Sequence, residues 1–275
     1  MTSVPTNSMQ CVPVILAGGN GTRIFPLSSP ENPKQFALKA KTGKSLFQET
    51  MLRVANRKLF SAPRIIANIN HRELLATQLA EIGCVDAEII LEPGGRNTAA
   101  AVAVTALQLP RDTVMLVLPS DHNIEHPEAL MDAITLAVRA VETGYIVTFA
   151  VTPTDANTGY GYIEMGKVVR GMPRVRHVLH FTEKPDRATA QAYINTGGYG
   201  WNSGMFMMRA ATALAEMKTH SPEVMIACRD AIQAATYDGE YLLLDSAAFA
   251  RGPAQPFDCA VMERTAHSVA IEVAM

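Results

Sequence analysis

A glycine-rich turn carries the first residues with chemistry in their spacing: Leu16-Ala17-Gly18-Gly19-Asn20-Gly21-Thr22-Arg23, directly after an apolar β-branched run. Glycines allow close backbone approach and can aim successive N–H groups at an anion. Taken alone, the turn reads equally well as a tight bend with no ligand. Two familiar phosphate loops fail here, because a dinucleotide fingerprint would need glycine at Ile24 and a P-loop ending Gly43-Lys44-Ser45 would need it at Leu38. The continuation is more telling, since Arg23 and then Pro33-Lys34-Gln35-Phe36 place two cations beside the glycines. An arginine fork and a lysine point charge together can clamp a triphosphate. Further along, Asp121 follows the run Thr113–Leu118. A carboxylate at a strand end suits Mg²⁺ bridging to phosphate oxygens, and it also suits a helix cap or a solvated loop. His122 beside it receives no role.

The elements that must position these residues alternate in type. Strands are expected at Val12–Leu16, Arg64–Asn68, Ala87–Leu91, Thr113–Leu118, Ile146–Val151, Val178–Thr182 and Met205–Met208. Helical spacing covers Ser45–Arg57, Arg72–Ile82, Asn97–Leu107, Pro127–Glu142 and Ala188–Asn195, and Thr212–Ala235 is helical with an interruption at Pro222. Alternation of this kind predicts an α/β fold, a mixed and mostly parallel sheet with helices on both faces. Gly197–Gly200 and Gly252–Pro256 read as loops, and the chain beyond Asp245 is the least legible part. The carboxyl edge of such a sheet is where ligands bind, so the glycine turn and Asp121 should meet there.

Composition narrows the partners. Lys plus Arg total 24 against 26 Asp plus Glu, a net charge of −2 that supplies no field for nucleic acid. Hydrophobic residues at 48% and charged ones at 18% of 275 residues indicate a packed core rather than disorder. No apolar stretch reaches the roughly 18 residues that cross a bilayer, and the polar start Met1–Gln10 does not read as a secretory signal. Cys11, Cys84, Cys228 and Cys259 form no CxxC pair, so a reducing cytoplasm is the expected compartment. Absence of a heptad or an apolar surface stripe leaves homo-oligomerisation open.

Several blocks in order carry a family resemblance: LAGGNGTRIFPLS…PKQF, Glu92-Pro93-Gly94-Gly95-Arg96-Asn97-Thr98-Ala99, Pro119-Ser120-Asp121-His122, Thr158-Gly159-Tyr160-Gly161-Tyr162-Ile163, Glu183-Lys184-Pro185 and Trp201-Asn202-Ser203-Gly204. Together they resemble the sugar-1-phosphate nucleotidylyltransferases, and in detail the mannose-1-phosphate guanylyltransferase branch. The resemblance implies a Rossmann-like nucleotide-diphospho-sugar transferase fold in one domain, with the nucleotide part at about residues 10–150 and the sugar part at about 151–265. It implies GTP, mannose 1-phosphate and GDP-mannose as ligands and Mg²⁺ as cofactor.

By that resemblance Leu16, Ala17, Gly18, Gly19, Gly21 and Thr22 hold the nucleotide, while Glu92, Asn97 and Thr98 belong to the segment that reads guanine. Read by itself, Asn97 at the start of a helical run favours a helix N-cap, a role compatible with base reading because a capped helix start also presents free N–H groups. Glu183 would hold sugar hydroxyls and Lys184 the sugar phosphate, although a Glu-Lys dipeptide is ordinarily a surface pair. Gly161 would offer backbone to the sugar, and Asn202 a two-sided hydrogen bond to hydroxyls. Trp201 is as well suited to packing as to a sugar platform. The sugar phosphate would attack the α-phosphate in line and expel pyrophosphate, with Arg23 and Lys34 neutralising phosphate charge and Asp121 holding the metal. No general base is required, because a phosphate monoester with a second pKa near ~6 is already mostly dianionic.

Departures accompany the matches. Ser120 stands where the family usually has alanine, and Phe257-Asp258-Cys259-Ala260-Val261-Met262-Glu263 resembles an Ile-Asp-Tyr-Ala-Val-Met-Glu block with cysteine for tyrosine. A further Trp-Ser-Asp-Val-Gly-Ser-Trp stretch, whose aspartate would give a second metal ligand, is expected beyond Met275. Two alternatives arise: a module that binds GTP or GDP-mannose without turnover, and a transferase for another sugar 1-phosphate. A glycosyltransferase of the nucleotide-sugar type is disfavoured, since Ser120-Asp121-His122-Asn123 contains no DxD motif.

Overall fold

The computed structural model describes residues 10–19 and 27–274. Among the described residues eleven strands form one sheet: β1 Val12–Ala17, β2 Arg64–Asn68, β3 Glu88–Glu92, β4 Val114–Pro119, β5 Ile146–Val151, β6 Tyr162–Val168, β7 Val175–Thr182, β8 Tyr199–Arg209, β9 Thr236–Asp238, β10 Tyr241–Leu243 and β11 Ser268–Glu272. The helices are α1 Lys34–Ala37, α2 Leu46–Arg53, α3 Arg72–Glu81, α4 Asn97–Gln108, α5 Pro127–Glu142, α6 Arg187–Thr196, α7 Ala210–His220, α8 Pro222–Gln233 and α9 Ser246–Ala250.

The order across the sheet is β9-β10-β3-β2-β1-β4-β8-β6-β7-β11-β5. From β10 to β4 every neighbour is parallel. Beyond β4 the pairings of β8, β6, β7 and β11 are antiparallel except β11 with β5. Strand β5 also pairs with β8, which closes β5, β8, β6, β7 and β11 into a ring.

Strand β1 shows why the parallel block forms. Its residues VPVILA are apolar throughout because both faces are covered. Val14 joins the core that holds Ile66, Ile90 and Val117, and Ile15 joins the opposite core of Ile65, Ile89 and Leu116. On the first face α4 packs against α7 and α8, and its run from Ala99 to Ala106 is wholly buried, small side chains allowing close approach. The second face takes α2, α3 and α5 through Phe47, Leu75 and Leu130. Each buried aliphatic side chain of this kind contributes roughly 1.5–3 kcal/mol.

Several expectations need correction. Helix α2 stops at Arg53 rather than Arg57, and Ser45 lies outside it as the N-cap of a capping box with Gln48. Gly200, expected in a loop, lies inside β8. Strands β6, β9, β10 and β11 are absent from the expected set, and the region beyond Asp245 contains α9, a π-helical turn at Asp258–Met262 and β11. The register brings strand ends together. Leu16 pairs with Pro119, Ala17 with Ala67 and Asn68 with Glu92, so the segments after β1, β3 and β4 leave the sheet at one edge.

Candidate functional site

At that edge Gly18 meets Glu92. A Cβ on Gly18 would lie 2.6 Å from Glu92 Oε2, so only glycine leaves room for the carboxyl group. Glu92 is 4% exposed, and among the described residues its Oε1 has no hydrogen-bond partner. Burial pushes its pKa up to about 8, which keeps the group largely protonated at neutral pH. Buried polar atoms are ordinarily hydrogen-bonded, so an unpartnered carboxyl oxygen on this wall is available to a donor of a ligand.

Two side chains fix the start of the glycine turn. Gln35 Nε2 donates to the carbonyls of Ala17 at 3.0 Å and Gly19 at 2.9 Å, while Ser120 Oγ donates to Leu16 O at 2.7 Å. The hydroxyl at position 120, a departure in sequence terms, is therefore a lock between β1 and β4.

A cavity of about 810 Å³ opens here, lined by Leu16, Gly18, Gly19, Lys34, Gln35, Glu92, Gly95, Asn97, Thr98, Ser120, Asp121, Gly204, Phe257 and Asp258 among others. Its volume lies in the range of small-molecule and cofactor sites. Lys34 Nζ is 3.1 Å from Asp121 Oδ2. His122 Nε2 lies 3.8 Å from Asp121 Oδ1, and desolvation holds the His122 pKa below its ordinary value. Asp121 caps no helix, because α5 begins after His126. The N-cap expected at Asn97 does not form either. Arg96 holds that place without a side-chain cap, and Asn97 adopts a φ of 66°. Its Oδ1 accepts from Thr98 N at 3.0 Å. Asparagine tolerates the left-handed region better than most residues.

A second cluster adjoins the cavity. Glu183 and Lys184 follow β7 and pair with each other, with Lys184 at φ 46°. A Cβ on Gly161 would lie 2.7 Å from Glu183 Oε2, so this glycine makes room for the carboxylate. The two-sided bond expected from Asn202 to a sugar is largely used up within the protein. Its Oδ1 accepts from Thr148 Oγ1 at 3.1 Å and from Gly204 N at 3.1 Å, and its Nδ2 donates to Asp258 Oδ1 at 2.6 Å. One amide proton is left for a ligand. Burial, with Glu183 nearby, pushes the Asp258 carboxyl up to about 6. Trp201 packs on Tyr160, ring centroids 4.9 Å apart, and among the described residues its indole N–H has no partner.

Leu16, Gly18, Gly19, Lys34, Glu92, Asn97, Thr98 and Asp121 thus line one cavity. Ala17 sits behind it, fully buried. Gly161, Glu183, Lys184 and Asn202 form the adjoining cluster, joined to the cavity through Asp258. Gly21, Thr22 and Arg23 lie outside the described residues. The sequence motifs contain Gln35, Ser120 and Asp258 without indicating a role for them. Only the fold shows what their side chains hold. Among the described residues no three His, Cys, Asp or Glu side chains converge as a metal cage.

Comparison with known proteins points the same way. The family described as nucleotidyl transferase matches residues 12–247. Xanthan biosynthesis protein XanB of Xanthomonas campestris pv. campestris is 45% identical over 263 residues, covering 94% of this chain and 55% of that protein. A mannose-1-phosphate guanylyltransferase of Escherichia coli is 41% identical over 264 residues, covering 94% and 56%. The chain therefore spans about half the length of the curated relatives it matches. A solved structure named mannose-6-phosphate isomerase from Helicobacter pylori superposes with a TM-score of 0.82 at 29% identity, over 96% of this chain and 97% of that one.

Proposed function

The chain belongs to the nucleotidyl transferase family, and we propose that it transfers the guanylyl group of GTP to mannose 1-phosphate. An oxygen of the sugar phosphate attacks the α-phosphorus, the bond from that phosphorus to the bridging oxygen of the β-phosphate breaks, and GDP-mannose and pyrophosphate result. The observation that carries this reading is the orphaned carboxyl of Glu92 at the mouth of a glycine turn. Guanine presents two N–H donors side by side on one edge, and the two oxygens of a carboxylate can accept both. Once paired to those donors, Glu92 would ionise despite its burial.

Other residues fit roles around that anchor. The glycine turn, held by Gln35 and Ser120, would offer N–H groups to phosphate, and Lys34 would supply positive charge near it. Arg23, by sequence position, would join Lys34 on the phosphates. Asp121 fits Mg²⁺ as a single carboxylate ligand on the cavity wall, because this ion commonly takes one or two carboxylates with the rest of its shell from phosphate and water. When bound, the ion would neutralise phosphate charge. Glu183, Gly161 and Lys184 would receive the sugar and its phosphate.

A sugar-phosphate isomerase, the name of the H. pylori relative, would have no use for a base-reading carboxyl beside a phosphate loop. The four free cysteines suit a reducing, cytoplasmic setting for such a reaction. Among the described residues no helix is long and apolar enough to cross a membrane. The test is pyrophosphate release from GTP, mannose 1-phosphate and Mg²⁺, run beside GTP binding. Release with mannose 1-phosphate and not with glucose 1-phosphate is expected. Tight GTP binding without release would instead make the chain a binding module.

A further inference from the structure

Residues 255–263 touch both halves of the site. Gln255 O accepts from Ala99 N at 3.1 Å and Phe257 N donates to Thr98 Oγ1 at 2.8 Å, which ties this segment to the start of α4. Phe257 is wholly buried against Phe206, ring centroids 5.2 Å apart, so the strap is anchored in the core. From there the π-helical turn, whose own Ala260, Val261 and Met262 are buried, and its C-cap Glu263 present two carboxylates to the adjoining cluster. Asp258 Oδ1 accepts from Asn202 Nδ2 at 2.6 Å, and Glu263 Oε1 accepts from the backbone N–H of Glu183 at 2.9 Å.

We propose that Asp258 and Glu263 are positioning residues, which hold Asn202 and the Glu183–Lys184 turn in a fixed relation to the start of α4. Asn202 has its carbonyl oxygen between two donors, so a carboxylate at Asp258 is what fixes the opposite, N–H₂ end of the amide. Lys184 adopts a positive φ of 46°, a conformation that is strained for a non-glycine residue and persists only where neighbours over-determine it. The Glu263 hydrogen bond to the preceding N–H is one such constraint. π-Helical turns are themselves rare and concentrate at functional sites.

The kinetic part of the test rests on the guanylyltransferase reading, and the exchange part does not. Amide hydrogen exchange is measured at Glu183 in Glu263→Ala and at Gly204, whose N–H is held by Asn202, in Asp258→Ala. Each amide should exchange at least about tenfold faster, as loss of a charge-assisted bond predicts. Glu263→Gln and Asp258→Asn retain an acceptor oxygen and should restore slow exchange. In steady state the alanine variants should raise KM for mannose 1-phosphate by about tenfold and leave KM for GTP within about twofold. Unchanged exchange in both alanine variants overturns the proposal, and so does a parallel rise in both KM values. If the unaltered chain releases no pyrophosphate, the proposed reaction fails while exchange still decides the positioning roles. Should an alanine variant not fold, Glu263→Leu and Asp258→Leu provide the same loss of acceptor with more packing.

Discussion

Lys34 Nζ and Asp121 Oδ2 lie 3.1 Å apart, so the cation proposed to meet phosphate and the carboxylate proposed to meet metal neutralise each other before any ligand arrives. Both side chains keep about a third of their surface exposed, at 33% and 39%. Such a pair contributes on the order of 1 kcal/mol or less. It is therefore easily exchanged for stronger partners, a divalent ion for Asp121 and a phosphate for Lys34.

The first prediction rests on that exchange. Lys34→Met removes the competitor of any cation at Asp121, so Mn²⁺ binding without nucleotide should tighten by about twofold to fivefold, the range an exposed ion pair allows. Electron paramagnetic resonance of free Mn²⁺ measures it directly. The same variant should weaken GTP, because the phosphate loses a counter-charge. Unchanged or weaker Mn²⁺ affinity would show that the pair does not guard a metal position.

Parallel strands were legible because burial on both faces makes them continuous apolar runs. Observed β2 and β5 have the expected bounds, and α5 matches because its stripe of Leu130, Ala133, Ile134, Ala137 and Val141 is complete. Strand β6 was not legible: its second half, Met165-Gly166-Lys167-Val168, is half-exposed and lacks alternation. Strand β11 exists through its partners β5 and β7, which lie far away in sequence. The site divides in the same way. Gly18, Lys34 and Asp121 could be found from local motif and strand order. The bonds made by Gln35, Ser120, Asp258 and Glu263 cross between segments and carry no local signal.

Glu92 offers the second prediction. Glu92→Gln replaces one acceptor oxygen with a donor N–H₂, which faces one of the two guanine donors. GTP affinity should fall by at least about tenfold. UTP, whose base edge mixes donor and acceptor, should lose much less. Competition binding with the two nucleotides checks both. Equal losses would remove Glu92 from base recognition.

Stability against pH gives the third. A carboxyl raised to about 8 binds a proton in the folded state that the unfolded chain, near 4.5, has released. The folded state then holds more protons between those values, and stability falls as pH rises through that window. Asp258, raised to about 6 from 3.8, acts in the same sense over a lower range. Asp86, Asp186 and Asp238 are shifted down and contribute stability that is lost on acidification. The ligand-free protein should be most stable near pH ~4 and lose a few kcal/mol by pH ~8, because each proton held across one pH unit is worth about 1.4 kcal/mol. Urea midpoints across that range test it, and Glu92→Gln should flatten the decline above pH ~6.

The fourth prediction uses the contact between Gly18 and Glu92 as a double-mutant cycle. Gly18→Ala puts a methyl 2.6 Å from Glu92 Oε2, inside any tolerable contact, so the carboxyl must move off its position. The backbone at Gly18 is not in the left-handed region, so the methyl itself is otherwise allowed. Gly18→Ala alone should therefore weaken GTP by about tenfold or more, whereas in a Glu92→Ala background the same methyl keeps only an ordinary van der Waals contact, 3.9 Å from Asn68 N, and should cost little. A coupling energy of about 1 kcal/mol or more is expected for residues in direct contact. Additive losses would mean that the methyl acts on the phosphate turn rather than through the carboxyl, and would separate the two halves of the nucleotide site.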